Sequence, residues 1–135
     1  MTWLVVVGAA IVRDGMLLAA CRARPAELAG RWELPGGQVE HGESEVAALR
    51  RECREELGVS VQVQRRLGPD LLLSPVAHGV LRVYLAALTP GSPEPSAVEH
   101  AELRWVGVGE LRGLDWLDAD WVLLPELAAA LRSGC

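Results

Sequence analysis

The sequence predicts a single α+β domain. Two observations carry the prediction. The chain has 135 residues, half of them apolar, which is enough for one ordinary core. Strand-like and helix-like runs then mix without the regular strand–helix–strand alternation of a parallel α/β sheet. No internal repeat or low-complexity stretch interrupts this order.

The elements follow in turn. TWLVVVGAAIV, the turn-like RDG and MLLAACRA read as a β-hairpin, with an Asp-Gly turn between two apolar runs. The opening run is about half the length of a membrane-spanning helix and lacks the basic start of a signal peptide, so it reads as a buried strand. RPAELAGRWELPGG is a loop, because its Pro and Gly residues break regular structure. A helix follows from about Glu43 to Leu57, with Ser44 or Glu43 at its start and Gly58 just past its end. Val46, Leu49, Cys53 and Leu57, spaced by three and four, form its apolar stripe. VSVQVQRRL alternates like a half-buried strand, and GVLRVYLAAL reads as another. TPGSPEPSAVEH is a loop, AELRWVGV a last strand and GELRGL a helical turn. DADWVLLPELAAALRS closes the chain as a helix in which Pro125 sits in the first turns or makes a kink.

Composition narrows the function. A net charge of -5 gives no basic footprint, which speaks against binding a nucleic-acid backbone. Small anionic substrates are compatible with it if a cation bridges them. Cys21, Cys53 and Cys135 are odd in number and far apart, which suits reduced thiols in the cytoplasm with no disulfide. No membrane partner is expected. All thirteen basic residues are Arg, and Lys, Phe and Asn are absent.

RRECREELG, residues 50 to 58, places Glu52, Glu55 and Glu56 on one helical face. Like charges at these spacings disfavour a helix by ~0.2–0.5 kcal/mol per pair. At 100° per residue they lie about a quarter to a third of a turn from the apolar stripe, along the edge of a groove. Mg²⁺ takes oxygen ligands and shares one or two carboxylates with waters and substrate phosphates, so a divalent cation between these groups and a polyphosphate offsets the repulsion.

Widening the view gives GGQVEHGESEVAALRRECREELGV, in which Gly37, Glu43, Arg51-Glu52, Glu55-Glu56 and Gly58-Val59 fall at fixed spacings. This stretch, Gly37 to Val59, resembles the signature box of the Nudix hydrolases, which cleave nucleoside diphosphates linked to another group. Every fixed Gly, Glu and Arg matches; only Cys53 departs, where the family usually has an aliphatic residue. The resemblance implies one domain spanning residues 1–135, with a mixed β-sheet sandwiched between helices. It also implies that Glu52, Glu55 and Glu56 bind Mg²⁺, or Mn²⁺ as a substitute, with the Gly36 carbonyl as a further ligand. Arg51 would orient a glutamate of the cluster and Glu43 would support the loop. Glu99, six residues before Trp105, matches the position at which MutT-type members place a metal-binding acid. Either Glu52 or Glu99 could take the proton from water. His100 beside it reads as a surface histidine.

RWELPGG and the chain length are similar to the MutT-type members that hydrolyse nucleoside triphosphates. Attack at the β-phosphorus would release a nucleoside monophosphate and pyrophosphate. Arg22 occupies the position of that group's phosphate-binding Arg, with Arg24 the near alternative; a guanidinium grips phosphate bidentately. Members acting on oxidised guanine nucleotides place an Asn before the last helix, and this chain has none. A similar group acting on cytosine nucleotides has an Asp there, matching Asp120. An ionised Asp accepts hydrogen bonds and cytosine offers an N4 amino donor, although guanine N1 and N2 offer a donor pair too. Helix capping is the competing use of Asp120, and Asp118 is the stronger cap candidate. Trp32, Trp116 and Trp121 suit the core better than base stacking. The favoured substrates are therefore CTP, dCTP or 5-methyl-dCTP, with 8-oxo-dGTP as the alternative.

Ser74-Pro75 hints at ADP-ribose or another nucleotide sugar, but members of that branch tend to carry an N-terminal region. RNA 5′-end hydrolysis fits the acidic balance poorly. A non-enzymatic nucleotide-binding module would not need the complete glutamate set. A homodimer is compatible with this size and family.

Overall fold

The computed structural model describes residues 3–73 and 78–133; Ser74 and Pro75, with their nucleotide-sugar hint, and Cys135 lie outside the described residues. The opening hairpin forms as expected, β1 (Leu4–Arg13) turning into β2 (Met16–Cys21). Asp14 and Gly15 take φ of 54° and 74°, the positive values that a tight two-residue hairpin turn requires.

β1 is the spine of a seven-stranded mixed sheet in the order β3-β2-β1-β6-β5, with β4 on β1 and β7 on β2. It runs parallel to β6 (Gly79–Leu88), from Leu4 opposite Gly79 to Ile11 opposite Ala86. β4 (Gly36–Gln38) is antiparallel to β1, with Gly36 opposite Gly8. β2 carries β3 (Trp32–Glu33) and β7 (Glu102–Val106). β5 (Val61–Leu72) is the edge strand on β6.

Alternation along β1 divides the interior. Val7, Ala9 and Ile11 face α1 (Glu45–Leu57) with Ala48, Leu49, Cys53 and Leu57, whereas Ala10 faces α2 (Asp118–Arg132) with Leu123, Leu127 and Trp116. Each fully buried leucine contributes ~1.5–3 kcal/mol, so both helices are held by their apolar faces rather than by propensity. A 3₁₀ turn, Val108–Gly113, leads towards α2. Among the described residues no helix is long and apolar enough to cross a membrane.

Several expectations need correction. β3 and β4 lie within the predicted loop. β5 continues past Gly68 and Pro69, with register shifts between Val63 and Arg66 and between Leu67 and Leu71; an edge strand tolerates Pro at such an irregularity because the lost donor faces outward. Val46 is 37 % exposed, while Glu56 is 9 % exposed and joins the buried face. Pro125 is inside α2 beyond its first turn, and it leaves the Trp121 carbonyl without its helical donor. Trp32 and Trp116 are core as expected, but Trp121 is 37 % exposed.

Candidate active site

α1 begins where Ser44 accepts a hydrogen bond from the Ala47 N–H at 3.1 Å, and it stops at Gly58, whose φ of 70° is left-handed. Its first turn is anchored to β6: Tyr84 donates to Glu45 at 2.7 Å and Arg82 does so at 2.5 Å. The glutamate face is thereby fixed relative to the sheet.

Arg51 organises the site. Its Nε and Nη2 grip both oxygens of Glu43 at 2.8 and 3.0 Å, and Nη2 also reaches the Gln38 carbonyl at 3.0 Å. Nη1 lies 3.2 Å from Glu52 and 3.3 Å from Glu55. One guanidinium thus ties the loop to two of the three helix carboxylates and holds the Glu43 carboxyl below the usual range. Glu43 also accepts from the Glu40 N–H at 3.0 Å, closing the loop.

Glu52 and Glu56 lie against the backbone of β4. The Gly36 N–H donates to Glu56 at 3.2 Å. A Cβ on Gly37 would overlap the Glu52 carboxylate, and a Cβ on Gly36, at φ 155°, would overlap the Val7 carbonyl. The paired glycines let the helix carboxylates and the strand backbone approach this closely. Burial pushes the Glu52 carboxyl upward and that of Glu56 to about 8. Cys53, fully buried behind them, is pushed up to about 12 for the same reason.

Glu99 is exposed and enters from the far loop. Ser96 and Val98 donate N–H bonds to the Leu57 and Glu56 carbonyls at 3.0 and 3.2 Å, and Ala101 donates to Cys21 at 2.9 Å. The loop satisfies carbonyls that the end of α1 leaves unpaired. A cleft of about 240 Å³ results, with Arg22, Arg24, Gly36, Glu56 and Glu99 on its walls. Five of the expected site residues therefore meet in one cavity.

Asp120 is 4 % exposed, and its Oδ1 accepts from the Leu34 N–H at 3.4 Å. Leu117, not an Asp, occupies the N-cap of α2, and Asp118 is a solvent-facing partner of Arg31 at 3.3 Å; the capping expectation for Asp118 is overturned. Asp120 instead lines an apolar cavity of about 400 Å³ with Val6, Leu34, Leu81 and Leu117. That cavity shares Val6, Glu33 and Gly36 with the cleft, so the two adjoin. Burial, and next the negative charge of Glu33, push the Asp120 carboxyl up to about 7.

Two residues of this region escaped sequence reasoning. Glu33 stands where cleft and cavity meet, paired with Arg22 at 3.1 Å and with His100 Nε2 at 2.9 Å. His100 is no surface histidine: its side chain is 6 % exposed, and its hydrogen bond with Glu33 raises its pKa. Sixty-seven residues separate the pair, and no local pattern announces it.

A rigid helix of carboxylates, a glycine backbone and nearby arginines facing a second, apolar cavity define a hydrolase of nucleotide phosphoanhydrides. The NUDIX domain model matches residues 2–127, and the chain belongs to the Nudix hydrolase family. It is 48 % identical over 133 residues to a Mycobacterium tuberculosis protein named putative 8-oxo-dGTP diphosphatase 2, covering 96 % of this chain and 92 % of that one. It is 49 % identical over 129 residues to the Escherichia coli CTP pyrophosphohydrolase, covering 96 % and 93 %. Among solved structures, a MutT NUDIX hydrolase from Burkholderia pseudomallei superposes with a TM-score of 0.80 at 36 % identity over 93 % of this chain and 98 % of that one.

Nudix hydrolases use divalent metal, and the donors here fit one in kind: carboxylate and carbonyl oxygens with no sulfur or imidazole required. Glu56 is the most telling, since it is a buried carboxylate whose hydrogen-bond donor among the described residues is a neutral N–H. Among the described residues, however, no group of three or more His, Cys, Asp and Glu is gathered closely enough to hold an ion. Arg51 pairs with both Glu52 and Glu55, at 3.2 and 3.3 Å.

Proposed function

We propose that the protein is a Mg²⁺-dependent nucleoside triphosphate pyrophosphohydrolase, accepting Mn²⁺ as a substitute, with cytosine nucleotides as its preferred substrates. The products are a nucleoside monophosphate and pyrophosphate. Glu52, Glu55, Glu56, Glu99 and the Gly36 carbonyl would hold the cation. When bound, it polarises phosphorus and acidifies a water molecule. Arg51 orients Glu52 and Glu55, and Glu43 holds Arg51 in that role. Arg22 and Arg24 take the phosphates, and Glu52 or Glu99 accepts the proton of the attacking water.

The observation that carries the base preference is the buried Asp120 carboxyl in an apolar cavity beside the phosphate cleft. When ionised, it accepts from cytosine N4 and leaves that donor paired out of water. The name of the Mycobacterium tuberculosis relative supports 8-oxo-dGTP as a second reading, and the guanine N1 and N2 donors fit the same carboxylate.

Pyrophosphate release from dCTP, CTP, 5-methyl-dCTP, 8-oxo-dGTP, dGTP and ADP-ribose separates the readings. The highest kcat/KM is expected on the cytosine set. Asp120→Asn should reduce it there by about 10-fold, as expected for exchanging a charged acceptor for a neutral amide, with a smaller change elsewhere. Equal losses on cytosine and guanine substrates would remove Asp120 as the base reader. Highest activity on 8-oxo-dGTP would keep the reaction and overturn the base assignment.

A further inference from the structure

We infer that His100 is a positioning residue that acts through Glu33 to present Arg22 to the substrate phosphates. The inference rests on the reading of the cleft as a nucleoside triphosphate site. Its basis is a chain of three side chains along the cleft wall, from a buried imidazole to a half-exposed guanidinium. His100 Nε2 lies 2.9 Å from Glu33 Oε2, and Arg22 Nη1 lies 3.1 and 3.3 Å from the two Glu33 oxygens. Side-chain exposure rises along it from 6 % at His100 through 18 % at Glu33 to 31 % at Arg22. The innermost member is a rigid ring, and the outermost is a flexible guanidinium.

The backbone is arranged to the same end. Val98 and Ala101 bracket His100, bonded to Glu56 at the end of α1 and to Cys21, the residue before Arg22. The imidazole is thus fixed between the carboxylate helix and the strand that launches Arg22. Arg22 Nε donates to the Arg24 carbonyl at 3.1 Å, which leaves Nη2 without a partner among the described residues. Pre-ordering a long side chain in this way removes part of the entropy cost of gripping a ligand.

Packing alone does not account for a histidine here. His100 Nδ1 is buried and has no hydrogen-bond partner among the described residues, a cost that an apolar side chain would avoid. What the imidazole supplies is the donor at Nε2, which fixes Glu33 from a neighbouring position on the cleft wall. Glu33 in turn keeps Arg22 from swinging into solvent.

The test compares His100→Leu, His100→Asn and His100→Gln in the full-length protein with Mg²⁺. Two readouts are the KM and kcat for the best triphosphate and the calorimetric affinity for its α,β-methylene analogue. Gln places an amide N–H near the Nε2 position, whereas Asn reaches only the Nδ1 position. His100→Leu and His100→Asn should raise KM and weaken analogue binding by about 5–20-fold, with a smaller effect on kcat; His100→Gln should stay within about threefold of wild type. In an Arg22→Ala background the same changes should cost less than about twofold, because a residue acting through Arg22 has nothing left to position.

Full-sized losses in the Arg22→Ala background would overturn the inference, as would wild-type affinity in folded His100→Leu. Should His100→Leu fail to fold, equal behaviour of His100→Asn and His100→Gln would overturn it in the same way. A wild-type protein that neither binds nor cleaves any triphosphate would bring down the nucleotide reading and this inference together; loss confined to the variants keeps the two apart.

Discussion

Glu56→Gln should stabilise the metal-free protein while ending its activity. Glu56 is 9 % exposed and accepts from the Gly36 N–H at 3.2 Å. Burial pushes its carboxyl from 4.5 to about 8. That gap corresponds to ~5 kcal/mol in full, of which ~3 kcal/mol is expressed at about pH 7, where the unfolded carboxyl is ionised and the folded one is largely protonated. Because the folded chain binds the extra proton, stability falls as pH rises from 4.5 to about 8. Gln keeps the acceptor for Gly36 and cannot ionise. Allowing for relaxation around an ionised Glu56, a gain of ~1–3 kcal/mol, or ~3–10 °C in Tm, is expected at neutral pH. Thermal unfolding in EDTA at about pH 5 and about pH 8.5 would measure it, the variant gaining most on wild type at the higher pH. Added Mg²⁺ should stabilise wild type by up to ~2.7 kcal/mol at a hundred times Kd, and the variant far less. A variant no more stable than wild type in EDTA at the higher pH, or an equal response to Mg²⁺, would refute the assignment of Glu56 as a buried carboxylate held for a cation.

The neighbouring glycines should respond in opposite ways. Gly36→Ala sets a Cβ against the Val7 carbonyl, which is backbone and cannot yield, so ~2–3 kcal/mol of stability should be lost in denaturant unfolding. Gly37→Ala sets its Cβ against the Glu52 carboxylate, the free end of a side chain; turnover should fall steeply while Tm stays within a few degrees, about the value of wild type. Ser44→Ala removes the cap at the start of α1 and should cost ~1 kcal/mol by thermal unfolding. Because the Asp120 carboxyl is raised to about 7 and only its ionised form accepts on both oxygens, kcat/KM on a cytosine nucleotide relative to Asp120→Asn should climb as pH rises through that value. A constant ratio across the range would show that ionised Asp120 does not read the base.

The parts of the molecule that sequence revealed are those whose signals are local. Ser44, the spacing of Leu49, Cys53 and Leu57, and Gly58 define α1 within fifteen residues, and the glutamate face comes with it. β3 and β4, two and three residues long, are too short for any alternation to appear. Val46 has the right spacing for the stripe and is nevertheless 37 % exposed, while its neighbour Glu45 is tied to β6. Glu56 is one turn from Cys53 and shares its burial, a fact the charge of the side chain conceals. The link between Asp120 and Leu34, and the triad of Arg22, Glu33 and His100, depend on chain segments brought together only by the sheet.

The docking of residues 96–98 onto the last carbonyls of α1 also carries an entropic cost. Bringing Val98 to Glu56 closes a loop of about forty residues that contains β5 and β6. The contact is long in sequence, and the entropy of closing that loop must be met before the contact contributes. The carboxylate helix and its opposing wall therefore belong to segments that only the complete fold brings together. Loosening residues 96–98 would open the cleft without disturbing the helix itself.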